Sequence, residues 1–225
     1  MRASNFSLTH RVREPEERSG PAPALLLLHG IGSNEDDLMG LAPYLDRRFF
    51  IVSARAPIAM WPGGYAWFNI EFTDRGMIAN LDQAARSRER IVKFIDEVTQ
   101  SYGVDPRRLY LMGFSQGAMM SFSVGLRWPD KVAGIVAMSG RLPEQVLAEI
   151  SQPETLRGMP VFVAHGVYDP VIPVQYGREC RAALEKLPVT LTYREYAMAH
   201  EVSPESLSDI AAWLQAVLDR SAPHW

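Results

Sequence analysis

Cysteine is almost missing from this chain: the lone Cys180 excludes an internal disulfide and any cysteine-rich metal site, and it suits a reducing compartment. A cytoplasmic location is the expectation. An excess of either charge is missing as well. With 23 basic against 26 acidic residues the formal net charge is -3, which offers no field for nucleic acid and no polybasic patch for a membrane surface. Long apolar runs are absent near the N-terminus, where Ala24 to Leu28 falls far short of the roughly 20 residues that span a bilayer. The opening Met-Arg-Ala-Ser-Asn lacks the apolar core of a secretory signal, so neither export nor stable membrane insertion is expected. Internal repeats and low-complexity tracts are missing too. What remains is a chain of 225 residues, 47% of them hydrophobic, expected to form one domain over residues 1–225 with a sizeable core. Composition does not choose between a monomer and a homodimer.

The apolar residues fall into short continuous runs alternating with helical stripes. Phe6 to Val12 reads as an edge strand, and 13–23 as a charged, proline-bearing connection. Ala24 to Leu28 and Phe49 to Ala54 are nearly continuous apolar runs, as strands covered on both faces should be. Between them, the spacing of Leu38, Leu41 and Leu45 predicts a helix over 35–45 with Asn34 as its N-cap. Ile91, Val92, Ile95 and Val98 form the stripe of a helix expected from Ile78 to Tyr102, supported by a Glu89–Lys93 pair and stopped by Gly103. Further strands are expected at 110–112, 132–138, 161–165 and 190–196, and further helices at 118–126, 144–150, 174–187 and 204–218. Strand-helix alternation predicts an α/β fold: a mostly parallel central sheet with helices on both faces and sites beyond the C-terminal ends of the strands.

One stretch carries chemistry. In Gly113-Phe-Ser-Gln-Gly117 a serine sits between an apolar run and helix-forming residues, the spacing that a sharp strand-to-helix turn requires. Such a turn strains the serine backbone, and glycines two positions either side remove the steric block. The amides at the helix start point to where an anionic oxygen would form. Alone the pattern is common; its context gives it weight.

A serine nucleophile needs a base, and the 5 histidines differ by position. His10 on the edge strand and His224 near the C-terminus read as surface groups, while His29 and His165, each ending a buried run before a glycine, read as structural. His200 lies in a loop between the last strand and the last helix, at the edge where the serine turn opens, and is the best base. An orienting carboxylate must accept from the other imidazole nitrogen. Asp169 follows a strand and lies between Ser115 and His200, giving the order serine, acid, histidine associated with α/β-hydrolase sheets. Asp130, in Trp-Pro-Asp-Lys, reads as a turn residue instead. For the oxyanion, the backbone amides of Gln116 and of Ile31, in the turn after His29-Gly30, are the candidate donors. Cys180 falls mid-helix with no glycine turn or flanking histidine, so a thiol hydrolase is a poor fit.

Residues 57–77 combine prolines, glycines and large apolar groups, a composition that suits a loop lining an apolar pocket. Trp61, Trp67, Phe68 and Phe72 are the candidate acyl-site wall, joined by Met119 on the serine helix and by Val171 and Ile172 after the acid.

Taken together these motifs resemble the phospholipase/carboxylesterase group of small α/β-hydrolases, which includes acyl-protein thioesterases and bacterial carboxylesterases. The resemblance rests on Leu28-His-Gly-Ile-Gly-Ser-Asn-Glu-Asp-Asp-Leu38, Trp67-Phe68, Gly113-Phe-Ser-Gln-Gly117, His165-Gly-Val-Tyr-Asp-Pro-Val-Ile-Pro173 and His200-Glu-Val. It implies Ser115, Asp169 and His200 as a catalytic triad, with Ile31 and Gln116 as oxyanion donors. Where the family often has glycines, this chain has Ala118, Ala197 and Ala199. The expected activity is cleavage of small-molecule carboxylic esters of short to medium acyl chain through an acyl-enzyme, without cofactor or metal. Thioesterase and lysophospholipase activity share that machinery, and a non-catalytic ligand-binding relative is the alternative of another class.

Overall fold

The computed structural model describes residues 6–16, 20–73 and 76–221, apart from the side chains of residues 72, 73, 76, 77 and 221. In chain order the main sheet is built from β1 (His10–Arg13), β2 (Ala22–Leu28), β3 (Phe50–Ala54), β8 (Val104–Phe114), β9 (Gly134–Met138), β10 (Pro160–Gly166) and β11 (Thr190–Tyr196). Between β3 and β8 come two small hairpins, β4 (Ile58–Ala59) with β5 (Tyr65–Ala66) and β6 (Ile70–Thr73) with β7 (Gly76–Ala79). The helices are α1 (Leu81–Tyr102), α2 (Gln116–Gly125), α3 (Glu144–Ala148), α4 (Val174–Leu184) and α5 (Pro204–Ser221).

The seven strands lie in the order β1-β3-β2-β8-β9-β10-β11, with β1 antiparallel to β3 and every other pairing parallel. Period-two alternation divides the core. Leu26 and Leu28 of β2 join Ile91 and Phe94 of α1, Phe122 of α2 and Leu184 of α4 on one face. Leu25 and Leu27 join Ile210 and Leu214 of α5 on the other. After β3 the chain returns to the far side of β2, so the strand order reverses between β2 and β8, where a crevice opens at the strands' C-terminal ends.

Several local expectations change. Residues Leu38–Tyr44 form a 3-10 helix rather than an α-helix: Gly40 and Pro43 interrupt the segment, and the Asn34 side chain accepts from the Asp36 N–H in a tight local turn instead of capping. The edge strand begins at His10, and Ile78, expected in a helix, pairs with Glu71 in the β6-β7 hairpin. Helix α1 starts at Leu81, behind an Asn80 cap that accepts from the Gln83 N–H at 3.0 Å. Lys93 pairs with Glu97 rather than with Glu89. Among the described residues no helix is long and apolar enough to cross a membrane.

Candidate active site

Ser115 stands between β8 and α2 with φ 54° and ψ -114°, a conformation that an L-residue rarely adopts. The turn closes because its flanks are glycine: a Cβ on Gly117 would lie 1.9 Å from the Leu28 carbonyl oxygen, and one on Gly113 2.2 Å from that of Gly117. The Met138 carbonyl accepts from the Ser115 N–H at 2.9 Å, so β9 pins the strained residue in place.

From Ser115 an unbroken row of hydrogen bonds leads to Asp169. The hydroxyl lies 3.0 Å from His200 Nε2, and Nδ1 of the same ring donates to Asp169 Oδ2 at 2.7 Å. An ionised carboxylate only accepts, so it fixes the imidazole proton on Nδ1 and leaves the Nε2 lone pair facing the serine hydroxyl. The other carboxylate oxygen accepts from the Val171 and Ile172 N–H groups, each at 2.8 Å. Pro170 has no N–H, so these two are the first amides beyond Asp169 that its side chain can reach. His165 Nε2 donates to the Ile172 carbonyl at 2.8 Å and braces the same turn. The His200 loop rests on the end of β10, where a Cβ on Gly166 would come 2.3 Å from the Ala199 carbonyl oxygen and 2.4 Å from that of Met198.

On the other side of the crevice, β2 ends in the His29-Gly30 turn. His29 accepts the Ala56 N–H at Nε2, 3.0 Å away, and so donates from Nδ1 to the Gly30 carbonyl at 2.7 Å. Burial pushes its pKa below the ordinary histidine value. A Cβ on Gly30 would sit 3.4 Å from the Ser115 Cβ, so this turn lies against the serine. The backbone amides of Ile31 and Gln116 donate to no protein acceptor among the described residues.

Two functional features carry no signal in the sequence. The Gln116 side chain clamps the aromatic segment by its backbone: Oε1 accepts from the Trp67 N–H at 2.7 Å, and Nε2 donates to the Phe68 carbonyl at 2.6 Å. The buried Glu35 forms a two-pronged ion pair with Arg55, whose Nη1 also donates to the Tyr65 hydroxyl at 3.1 Å. This links the β2 turn, the end of β3 and the first hairpin; Arg55 holds the Glu35 carboxyl below the usual carboxylate range.

Of the residues expected to wall the acyl site, two share a cavity, which Ser115, Asp169 and His200 do not line. Phe68 and Met119 line a cavity of about 420 Å³ beside α2, together with Ile78, Leu81 and Met120. Trp67 is 0% exposed, its ring against His29 and its Nε1 donating to the His29 carbonyl at 3.0 Å, so it lies behind the wall rather than on it. Trp61 is 95% exposed and Val171 55% exposed, while Ile172 is buried under the acid turn; none of the three lines this cavity. The Phe72 side chain lies outside the described residues, as does His224. His10 is partly buried rather than superficial, its Nε2 2.6 Å from the Tyr102 hydroxyl. Asp130 is exposed. Cys180 is buried, accepts from the Leu142 N–H at 2.9 Å, and has its pKa pushed up to about 12 by desolvation, which leaves the thiol inert.

A strained serine at the strand-order reversal of a mostly parallel sheet, with an acid and a histidine on later strand-end loops, defines the α/β-hydrolase class. The family profile described as phospholipase/carboxylesterase matches residues 9–218, and the chain belongs to that family as a carboxylic ester hydrolase. Acyl-protein thioesterase 1 of Kluyveromyces lactis is 32% identical over 223 residues, covering 92% of this chain and 97% of that protein. Putative hydrolase MhqD of Bacillus subtilis is 25% identical, covering 86% of this chain and 93% of its own length. Among solved structures, esterase PE8 superposes with a TM-score of 0.81 at 27% identity, covering 93% of this chain and 99% of that one.

Proposed function

We propose that the chain hydrolyses short to medium acyl carboxylic esters through an acyl-enzyme formed on Ser115. His200 takes the hydroxyl proton as Ser115 Oγ attacks the ester carbon, and returns it to the departing alkoxide. Asp169 orients the ring and stabilises the imidazolium. The Ile31 and Gln116 amides donate to the tetrahedral oxyanion. Water then attacks the acyl-enzyme by the same route, releasing the acid and restoring the serine, with no cofactor entering the cycle. The observation that carries this reading is the row from Ser115 through His200 to Asp169, at 3.0 and 2.7 Å. The cavity lined by Phe68 and by Met119, one helical turn beyond Ser115, supports an apolar acyl chain. A cytoplasmic location belongs to the same proposal, supported by the unpaired thiol of Cys180 and tested by fractionating the source cells.

A second reading, thioester cleavage, is favoured by the relatives named acyl-protein thioesterase 1. Its chemistry differs only in that a thiolate leaves. A panel of p-nitrophenyl esters and matched thioesters of rising chain length separates the two by kcat/KM. Preference for oxyesters supports the first reading, and preference for thioesters the second. Turnover of neither by clean protein would return the chain to a ligand-binding role.

A further inference from the structure

The cavity beside α2, whose lining stops short of Ser115 itself, is both apolar and cationic. Phe68, Met119, Met120 and Val146 lie on its lining, and so do Arg88 and Arg141, with Glu149 as the sole carboxylate among its described lining residues. Glu149 is already engaged twice, accepting from Arg88 Nη1 at 2.7 Å and from Arg127 Nη1. Arg88 Nε is buried without an acceptor among the described residues. Arg141 rests on the Tyr176 ring, its Cζ 4.9 Å from the centroid, and ion-pairs with no carboxylate among the described residues. Glu144 and Glu179 border the neighbouring cleft that Arg141 also touches, and neither reaches it closely enough to pair. Stacking occupies the face of a guanidinium and leaves its rim of N–H donors free. Two guanidiniums lining one cavity thus carry donor capacity that the protein does not use, and for the buried Arg88 Nε that is costly until an acceptor arrives.

Their position relates that capacity to the serine. Arg141 follows Gly140, where a Cβ would lie 3.1 Å from the Ser115 carbonyl oxygen and 2.5 Å from the Ala118 Cβ. Met119 stands one helical turn beyond Ser115 and donates to that same carbonyl at 3.2 Å. We propose that the cavity is a subsite for a carboxylate carried by the substrate: the preferred ester has one anionic arm, as in a monoester of a dicarboxylic acid, read by Arg141 with Arg88. The planar fork of arginine suits a carboxylate, and the apolar lining from Phe68, Met119 and Met120 suits a short methylene chain. This inference rests on the esterase reading above.

The test uses two matched pairs. In the first the charge is on the acyl arm: mono-p-nitrophenyl adipate against p-nitrophenyl methyl adipate. In the second it is on the alcohol arm: the butyrate ester of 4-hydroxybenzoate against that of methyl 4-hydroxybenzoate. The wild-type protein is expected to favour the anionic member of one pair by roughly 10- to 100-fold in kcat/KM, the span of a hydrogen-bonded charge; the pair that responds identifies the arm. In Arg141→Gln that ratio falls towards one, and Arg141→Lys keeps part of it. Ratios at or below one in both pairs, with all four esters hydrolysed, overturn the subsite and leave the esterase reading standing. A preference that survives Arg141→Gln also overturns it. Failure to hydrolyse any of the four removes the esterase reading and this inference with it.

Discussion

Asp169 satisfies three donors with two oxygens: Val171 and Ile172 on one, His200 on the other. In Asp169→Asn the amide oxygen can keep the two backbone bonds, but the NH2 group turned to His200 asks its Nδ1 to accept, which moves the imidazole proton to the nitrogen that faces the serine. The fold should survive while kcat drops by up to about 10⁴. Steady-state kinetics alongside a melting curve checks this, and normal turnover would exclude Asp169 as the orienting acid. Gln116 shows what residue-level reading of a motif leaves out. Considered as a backbone donor alone, its side chain is dispensable and truncation should cost less than tenfold in rate. Its amide group, however, satisfies the buried backbone of Trp67 and Phe68. Gln116→Ala should therefore cost about 1–3 kcal/mol for each polar group it orphans, as a lowered melting temperature. It should also raise KM, because Phe68 is on the cavity wall; an unchanged KM and melting temperature would show the clamp to be idle.

At the scale of elements, the aromatic segment is two hairpins tied down at defined points, not a loose flap. Trp67 anchors it from behind. Trp67→Ala should cost roughly 3–5 kcal/mol of stability, as expected for a large buried side chain, and leave the ratio of kcat/KM between neighbouring acyl lengths unchanged. A shifted chain-length optimum without loss of melting temperature would put the indole on the pocket wall after all. The turn after β2 makes a pH prediction. His29 is held neutral by burial and by the Ala56 N–H it accepts, so its folded-state pKa lies below the ordinary value of 6.5. The unfolded chain takes up a proton there below about 6.5 and the folded chain resists it. Stability from this group is thus full above that pH and is lost as pH falls below it. In His29→Gln the loss of urea-unfolding free energy between pH 7 and 5 should be smaller than in the wild type. Equal slopes in the two proteins would exclude His29 from the acid response.

At the scale of the whole molecule, the sheet places the site by its order: the reversal between β2 and β8 brings the His29-Gly30 turn against Ser115, and the parallel run to β11 delivers Asp169 and His200 to the same edge. These parts were legible in the sequence, because buried strands are short apolar runs and each of these residues follows one directly. The hairpins were not, since strands of two to four residues are too short for alternation to register. At Leu38–Tyr44 the leucine spacing fits an α-helix while Gly40 and Pro43 do not, and the segment folds as a 3-10 helix. Nor was the cavity legible: its walls come from α1, the second hairpin, α2 and the segment after β9, and no local pattern records contacts between positions so far apart. Arg88 and Arg141, 53 positions apart in the chain, line one cavity only through the fold.

In the proposed cycle Ser115 carries the acyl group. The most direct measurement is intact and peptide mass spectrometry of protein quenched during turnover of a slow p-nitrophenyl ester. The expected result is one acyl adduct per chain, located on Ser115, formed at the rate of the p-nitrophenol burst and absent from Ser115→Ala. Full turnover by Ser115→Ala, or an adduct on any other residue that is kinetically competent, would contradict it.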